Sequence, residues 1–351
     1  MPERRSWRER PLVQLTLVRY LEFIREPEAV FWTFVFPVLL TAGLGIAFRS
    51  RPAEPVRIGV EAGAAADSLA AALGGDPRVR VQVLGDSAAG QALRTGKVAL
   101  VVGPGSAGAL HYRFDDTRPE SRTARLLADD ILQHAAGRAD PLPIEETEVR
   151  ERGSRYIDFV VPGLLGMNLM GSGVWGIGFS IVDQRRKKLL KRLVATPMSR
   201  AQFLLSFLLA RLGWLVLEVA LLVGFAVAVF GVPLRGSVVT LALVSLLSAL
   251  AFGGLGLLIA ARPRTIEGAS GLMNLAMLPM WVFSGVFFSA ANFPAAMQPF
   301  IQALPLTAVV DALRATMLEG ASLAALTPEL AIIGAWVLAT FGVALRIFRW
   351  L

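Results

Sequence analysis

Long apolar runs alternate with short charged segments along this chain, and the runs have the length of membrane helices. Residues 29–48 carry no charge and are about as long as a helix needs to cross the hydrocarbon core. A second run, 156–182, is interrupted only by Asp158 near its start. Further helices are predicted over 201–231 (most apolar over 212–231), 237–261, 269–290 and 328–345. The pattern predicts a polytopic α-helical membrane protein with six transmembrane helices in a 1+5 arrangement around a long insert, 49–155.

The insert has another texture. Residues 56–60 and 79–84 alternate as strands, 97–102 form a continuous apolar run suited to a buried strand, and 109–114 supply a fourth candidate. Helical patterns cover 68–73, 87–94 and 120–136, so a small α/β domain is predicted. Gly103-Pro104-Gly105 reads as a turn. Lys97 follows Gly96, but a phosphate loop needs Gly-x4-Gly-Lys-Ser/Thr, and positions 91 and 98 are Gln and Val. Asp115-Asp116, ahead of Thr117-Arg118-Pro119, reads as a strand end and helix start, and His111 as an ordinary strand residue.

Charge sets the orientation. The segment 183–200 carries Arg185, Arg186, Lys187, Lys188, Lys191, Arg192 and Arg200 against the single acid Asp183. Short loops this basic stay cytoplasmic. With the N-terminus inside, 1–28, 183–200, 261–268 and the tail are cytoplasmic, the turns near Arg235 and after Ala290 face out, and the insert is extracytoplasmic. Leu189, Leu190 and Leu193 line one face of a short helix that Thr196-Pro197 ends. Two readings stand for this run: a lever that takes force from a soluble partner, or a loop lying on anionic lipid. In the first segment Val13, Leu17, Tyr20 and Ile24 recur at helical spacing while Arg19, Glu22, Arg25 and Glu26 face away. That predicts an amphipathic helix in the inner interface or against a partner, with Trp7 and Tyr20 as anchors.

Composition narrows the chemistry. The net charge of +8 sits beside apolar spans, so membrane orientation explains it better than nucleic acid does. There is no cysteine and there are only two histidines, which excludes disulfides and thiolate metal sites and leaves little for a histidine-built centre. Within the spans, Glu218 lies seven residues after Arg211 on one helix face. Glu218 either lines a translocation path or forms a structural pair with Arg211, whose long side chain would snorkel to the interface. Asn168 and Asn274 are the other candidate path residues. Gly166, Gly171, Gly173, Gly176 and Gly178 permit close helix contact, for a second copy or a pore face. Asp311 and Arg314 share a helical turn and are expected to pair.

Four motifs carry a resemblance that extends over nearly the whole chain: Arg25-Glu-Pro-Glu-Ala-Val-Phe-Trp with Phe36-Pro37; Arg192-Leu-Val-Ala-Thr-Pro197; Pro279-Met-Trp-Val-Phe-Ser-Gly-Val-Phe-Phe288; and Phe293-Pro294 with Pro305-Leu-Thr307 and Asp311-Ala-Leu-Arg314. In this order they resemble the membrane subunit of type-2 ABC exporters, in the variety with a large extracytoplasmic domain after the first span. The resemblance implies a coupling helix within 183–196 that seats in a separate ABC ATPase, with Arg185, Arg186, Lys187, Lys188, Leu189, Leu190, Arg192, Leu193, Thr196 and Pro197 as the coupling residues. Family members often have Glu and Gly early in this motif, where this chain has Asp183 and a basic cluster. It also implies ATP and Mg bound by that partner and none here, two permease copies (a homodimer), re-entrant outer-leaflet helices over 291–322, and export of a drug, lipid or peptide across the bacterial inner membrane. Two other classes are carried as alternatives. One is a membrane-anchored sensor whose insert binds a ligand. The other is an intramembrane enzyme, which the residue inventory supports least.

Overall fold

A computed structural model describes residues 11–48, 55–105, 109–142, 153–189, 200–263 and 265–347. The chain forms two units, Met1–Arg49 with Arg150–Leu351, and Ser50–Val149.

Helix α1, Pro11–Arg25, stops at Glu26, because Pro27 opens α2, Pro27–Ala47. Only part of the predicted apolar stripe of α1 packs, Tyr20 inward and Val13 half-buried. Leu17 and Ile24 are 50% and 58% exposed, whereas Arg19 is buried. The aromatics decide this roll: Tyr20 and Phe23 lie 5.2 and 4.8 Å from the Trp214 ring, and that face brings Arg19 inward. In α2 a π turn, Phe31–Val35, precedes Phe36-Pro37. Pro37 has no N–H to give the Thr33 carbonyl four residues back, so the helix is irregular where the sequence removes a bond.

In the second unit β1 (Val56–Glu61), α3 (Ala66–Gly74), β2 (Val79–Leu84), α4 (Asp86–Arg94), β3 (Leu100–Pro104), β4 (Leu110–Phe114) and α5 (Pro119–Ala135) build one sheet of order β2-β1-β3-β4. The first three strands are parallel and β4 is antiparallel to β3. Strands covered on both faces need apolar residues on both. Ile58, Val60, Leu100 and Val102 pack with Leu73, Ala124 and Ala128, while Val101 packs with Ala89 and Ala92. The apolar run at 97–102 starts its strand only at Leu100. Asp115 accepts from the Thr117 N–H (3.0 Å) and hydroxyl (2.6 Å), a turn between β4 and α5. The C-terminal end of α5 is closed by His134, whose Nδ1 lies 2.8 Å from the Asp130 carbonyl and whose Nε2 lies 2.8 Å from the Asp140 carboxylate.

The remaining helices are α6 (Tyr156–Arg186), α7 (Arg200–Phe230), α8 (Val238–Ala260), α9 (Ile266–Phe283), the short α10 (Gln298–Ala303), α11 (Pro305–Arg314) and α12 (Thr327–Ile347). Asp158, the one charge in the second apolar run, belongs to the N-terminal cap of α6: it takes the Gly153 N–H at 2.9 Å and Arg155 Nη2 at 2.7 Å. Helix α6 is the axis of the bundle, 78% buried over its most apolar window, against 17% to 28% for α2, α7 and α12. At 31 residues it is about 46 Å long, longer than the roughly 30 Å hydrocarbon core.

Three of the five α6 glycines predicted for close helix contact are covered within the chain. Gly166, Gly173 and Gly178 face Val310, Phe252 and Met273 of the same chain, while Gly171 and Gly176 meet nothing within 4 Å. Helices α6 and α8 meet backbone to backbone at Gly256 of α8, where a Cβ would stand 2.8 Å from the carbonyl oxygens of both Gly173 and Val174. Gly166, Gly173 and Gly178 thus let α11, α8 and α9 of the same chain approach α6 closely.

Five described helices, α2, α6, Leu205–Phe230 of α7, α8 and α12, are long and apolar enough to cross a membrane. The crossing expected over 269–290 differs. Helix α9 starts at Ile266, capped by the Thr265 hydroxyl, and ends at Phe283 because Gly285 turns the chain with φ +73°. Arg314 holds this bend: Nη2 donates to the Gly285 carbonyl at 2.9 Å and the guanidinium lies 3.9 Å from the Phe159 ring centroid. The expected pair with Asp311 is present at 3.4 Å. Beyond the bend, Ala295–Ala303 and Pro305–Glu319 meet at 86°, a broken span or a re-entrant pair.

Gly256→Val is expected to destabilise the bundle by about 1–3 kcal/mol through backbone overpacking, whereas Gly176→Val stays within about 0.5 kcal/mol of the parent; thermal unfolding in detergent compares them. A second expectation concerns pH. The Asp130 carbonyl and then the Asp140 carboxylate hold the His134 pKa above its ordinary value. The raised pKa means that charged His134 stabilises the fold below about pH 6.5, and this contribution is lost as pH rises through the folded value. Amide protection of β1 and β3 in the full chain, corrected for intrinsic exchange, should fall between about pH 6 and about pH 8 and stay level in His134→Gln.

Candidate functional site

Two polar constellations stand out against the apolar bundle. The first lies inside it. Glu218 on α7 is 1% exposed and Arg211, two turns earlier, 7%. Arg211 Nη1 donates to Glu218 Oε2 at 2.6 Å, and Nη2 to Ser172 Oγ at 2.7 Å. Glu218 Oε1 accepts from Asn168 Nδ2 at 2.7 Å and from Ser172 Oγ at 2.9 Å. Asn168 also donates to the Thr33 carbonyl at 3.2 Å, the acceptor that Pro37 leaves unmatched in α2. One carboxylate thus links α2, α6 and α7. Arg211 does not snorkel; it turns inward, because a buried carboxylate needs a cation and donors at once.

The second constellation is at the basic end of α6. Helix α6 runs on to Arg186, past the boundary predicted after Val182, so Gln184, Arg185 and Arg186 are its last turn. Arg185 Nη1 donates to the carbonyls of Ala260 (2.8 Å) and Pro263 (2.6 Å), and Nη2 to that of Ala261 (3.2 Å). These are the orphan acceptors at the C-terminal, negative end of α8. Gln184 Oε1 accepts from Arg19 Nη2 at 3.0 Å, while the Arg19 guanidinium lies 3.8 Å from the Phe207 ring centroid. Arg186 and Lys187 are exposed near Asp183, at 3.8 and 2.7 Å. Lys188 then takes a left-handed turn, φ 57°, uncommon for a residue with a side chain.

Of the residues assigned to coupling, Arg186, Lys187 and Lys188 are on the surface, Leu189 is half-buried and Arg185 is turned into the bundle. Leu190, Arg192, Leu193, Thr196 and Pro197 lie outside the described residues. Of the three path candidates, Asn168 and Glu218 come together, whereas Asn274 is exposed on α9 and makes no part of the network. Among the described residues no group of three or more His, Asp and Glu side chains is arranged to hold a metal ion.

A helical bundle with this basic end and a broken pair of helices after α9 can be compared with known proteins. The model of the ABC-2 family transporter protein matches residues 28–346. The chain belongs to this family. Over 165 residues it is 28% identical to the probable multidrug ABC transporter permease YbhS of Escherichia coli K12, a stretch covering 46% of this chain and 43% of YbhS. Over 170 residues it is 26% identical to ABC transporter G family member 20 of Dictyostelium discoideum, covering 48% of this chain and 23% of that protein. The matches span less than half the length of these curated relatives. The ABC-2 match leaves out α1, so Arg19 lies outside the matched region while Gln184 and Arg185 lie inside it.

Ser172, Gln184 and the Thr33 carbonyl were not singled out by sequence reasoning, and Arg19 was read as facing away from the packed side. A signal existed for one of them: a proline inside an apolar helix frees the carbonyl four residues earlier, and that carbonyl needs a donor.

Arg211→Met leaves the Glu218 carboxylate buried without its cation and is expected to cost about 3–5 kcal/mol, whereas Arg211→Met with Glu218→Leu recovers most of that loss. Thermal unfolding of the three proteins decides. A double variant as unstable as the sum of its parts would show that the two groups act separately.

Proposed function

We propose that this chain is the permease subunit of an ATP-driven exporter in the bacterial inner membrane, working by mechanical rather than chemical steps. The match to the ABC-2 family over 28–346 carries this reading. A separate ABC ATPase binds ATP and Mg and seats the segment 183–196; a second copy of this chain completes the pathway. The positive-inside excess orients both termini and the 183–200 segment to the cytoplasm and the Ser50–Val149 unit to the outside. The pair bent by 86° after α9 is read as dipping into the outer leaflet. Helix α1 lies in the inner interface on lipid, since Leu17, Val18, Leu21 and Ile24 form an outward apolar row. The substrate is an amphipathic compound, and the naming of YbhS as a probable multidrug permease favours a drug over a lipid or a peptide. The Asn168–Glu218 network is assigned to holding three helices together, and Asn274 is left as the candidate path residue.

Detergent-solubilised native membranes give the test. The parent chain is expected to co-purify an ABC ATPase, and Leu189→Asp or Leu193→Asp to insert normally while losing it. Retention of the ATPase by both variants would remove the coupling helix from this segment. A parent chain that brings down no ATPase would turn the reading to a membrane-anchored sensor built around the Ser50–Val149 unit.

A further inference from the structure

The last turn of α6 sends its three polar side chains in three directions. Arg186 points to solvent, Gln184 is gripped by Arg19 of α1, and Arg185 closes over the end of α8. The Arg185 contact is built rather than incidental. Helix α8 stops at Ala260 with Pro263 three residues on, so its final carbonyls have no helical donors. The two terminal nitrogens of one guanidinium reach three carbonyls, of Ala260, Ala261 and Pro263, a spread fork that a compact lysine ammonium does not match. Its charge also lies at the negative end of the helix dipole. One residue beyond Lys187 the chain changes direction at Lys188. At its first end the basic segment joins the bundle through this turn, and at its other end it runs into α7 at Arg200.

We propose that Arg185 is a positioning residue that hands displacement of the basic segment to α8, and that it does not touch the ATPase. The proposal rests on the exporter reading above. In it α6 and α8 move together during the ATP cycle, since Arg185 fastens their ends as the Gly173–Gly256 contact fastens their middles. The remaining charges of the run, led by Arg186 and Lys187, are left for the partner. The Arg19–Gln184 bond carries the same displacement to α1.

The chain has no cysteine, so an introduced pair supplies the only thiols. Spin labels at Gly176→Cys on α6 and Arg262→Cys just beyond α8, both exposed positions outside the segment left for the partner, report the separation of the two helices. In the permease–ATPase complex, the label separation is measured without nucleotide and after trapping with ATP and vanadate. With Arg185 present the separation is expected to hold on trapping. In Arg185→Met the ATPase remains bound and the separation shifts on trapping, while Arg346→Met, which removes the same charge from an exposed side chain at the end of α12, behaves as the parent. An Arg185→Met complex whose separation holds like the parent's overturns the role of Arg185 and leaves the exporter reading intact. So does an Arg346→Met complex that shifts equally, because charge loss alone would then explain the effect. Should Arg185→Met fail to assemble, Arg185→Lys carries the test: it keeps the charge without the fork, a shift supports the proposal, and a constant separation overturns it. A parent chain without bound ATPase overturns the exporter reading and this inference with it.

Discussion

Within a bilayer a carboxylate has to be answered from inside the protein, and Glu218 is answered completely. Arg211 supplies the opposite charge, Asn168 and Ser172 supply donors, and the spare amide proton of Asn168 goes to the carbonyl that Pro37 leaves open. Each member meets a need that another creates, so the group is satisfied only when α2, α6 and α7 stand together. The apolar surfaces of these helices tolerate many rotations; the network selects one. That gives a physical reason for a costly ion pair in a bundle that has ample apolar contact elsewhere.

Much of the architecture was legible because its signals are local. Apolar runs and strand alternation depend on neighbours in sequence. The failures came where a side chain's fate is set across the bundle. Arg19 looked solvent-facing because arginine on an amphipathic helix usually is; Phe203, Phe207 and Gln184, far away in sequence, make an inward cage for it. Arg185 looked like one of seven equivalent basic residues, and only the end of α8 distinguishes it. The row of glycines in α6 announced close packing without saying against what. The overlong fifth crossing had a similar origin: Ser284–Ser289 is apolar enough to continue a helix, but Gly285 turns and Arg314, thirty residues on, holds the turn.

The same contrast separates the two candidate functional regions. The intramembrane network was half visible, since Glu218, Arg211 and Asn168 are conspicuous in apolar runs, while Ser172 and a backbone carbonyl are not. At the basic end the sequence showed a block of charge, and the structure sorts it into side chains that face away from the bundle and one that faces into it.

The approach of Gly173 to Gly256 has a consequence for how such a bundle can change shape. With carbonyl oxygens lying where a side chain would otherwise separate the helices, sliding α8 along α6 would drive one backbone over the ridges of the other. Axial translation between the two is blocked as a key blocks a shaft. What remains is tilting of the pair as a single body, with α2 and α7 tied to it through the Asn168–Glu218 network. A bundle wired this way can lean as a block while the two helices at its core keep their register.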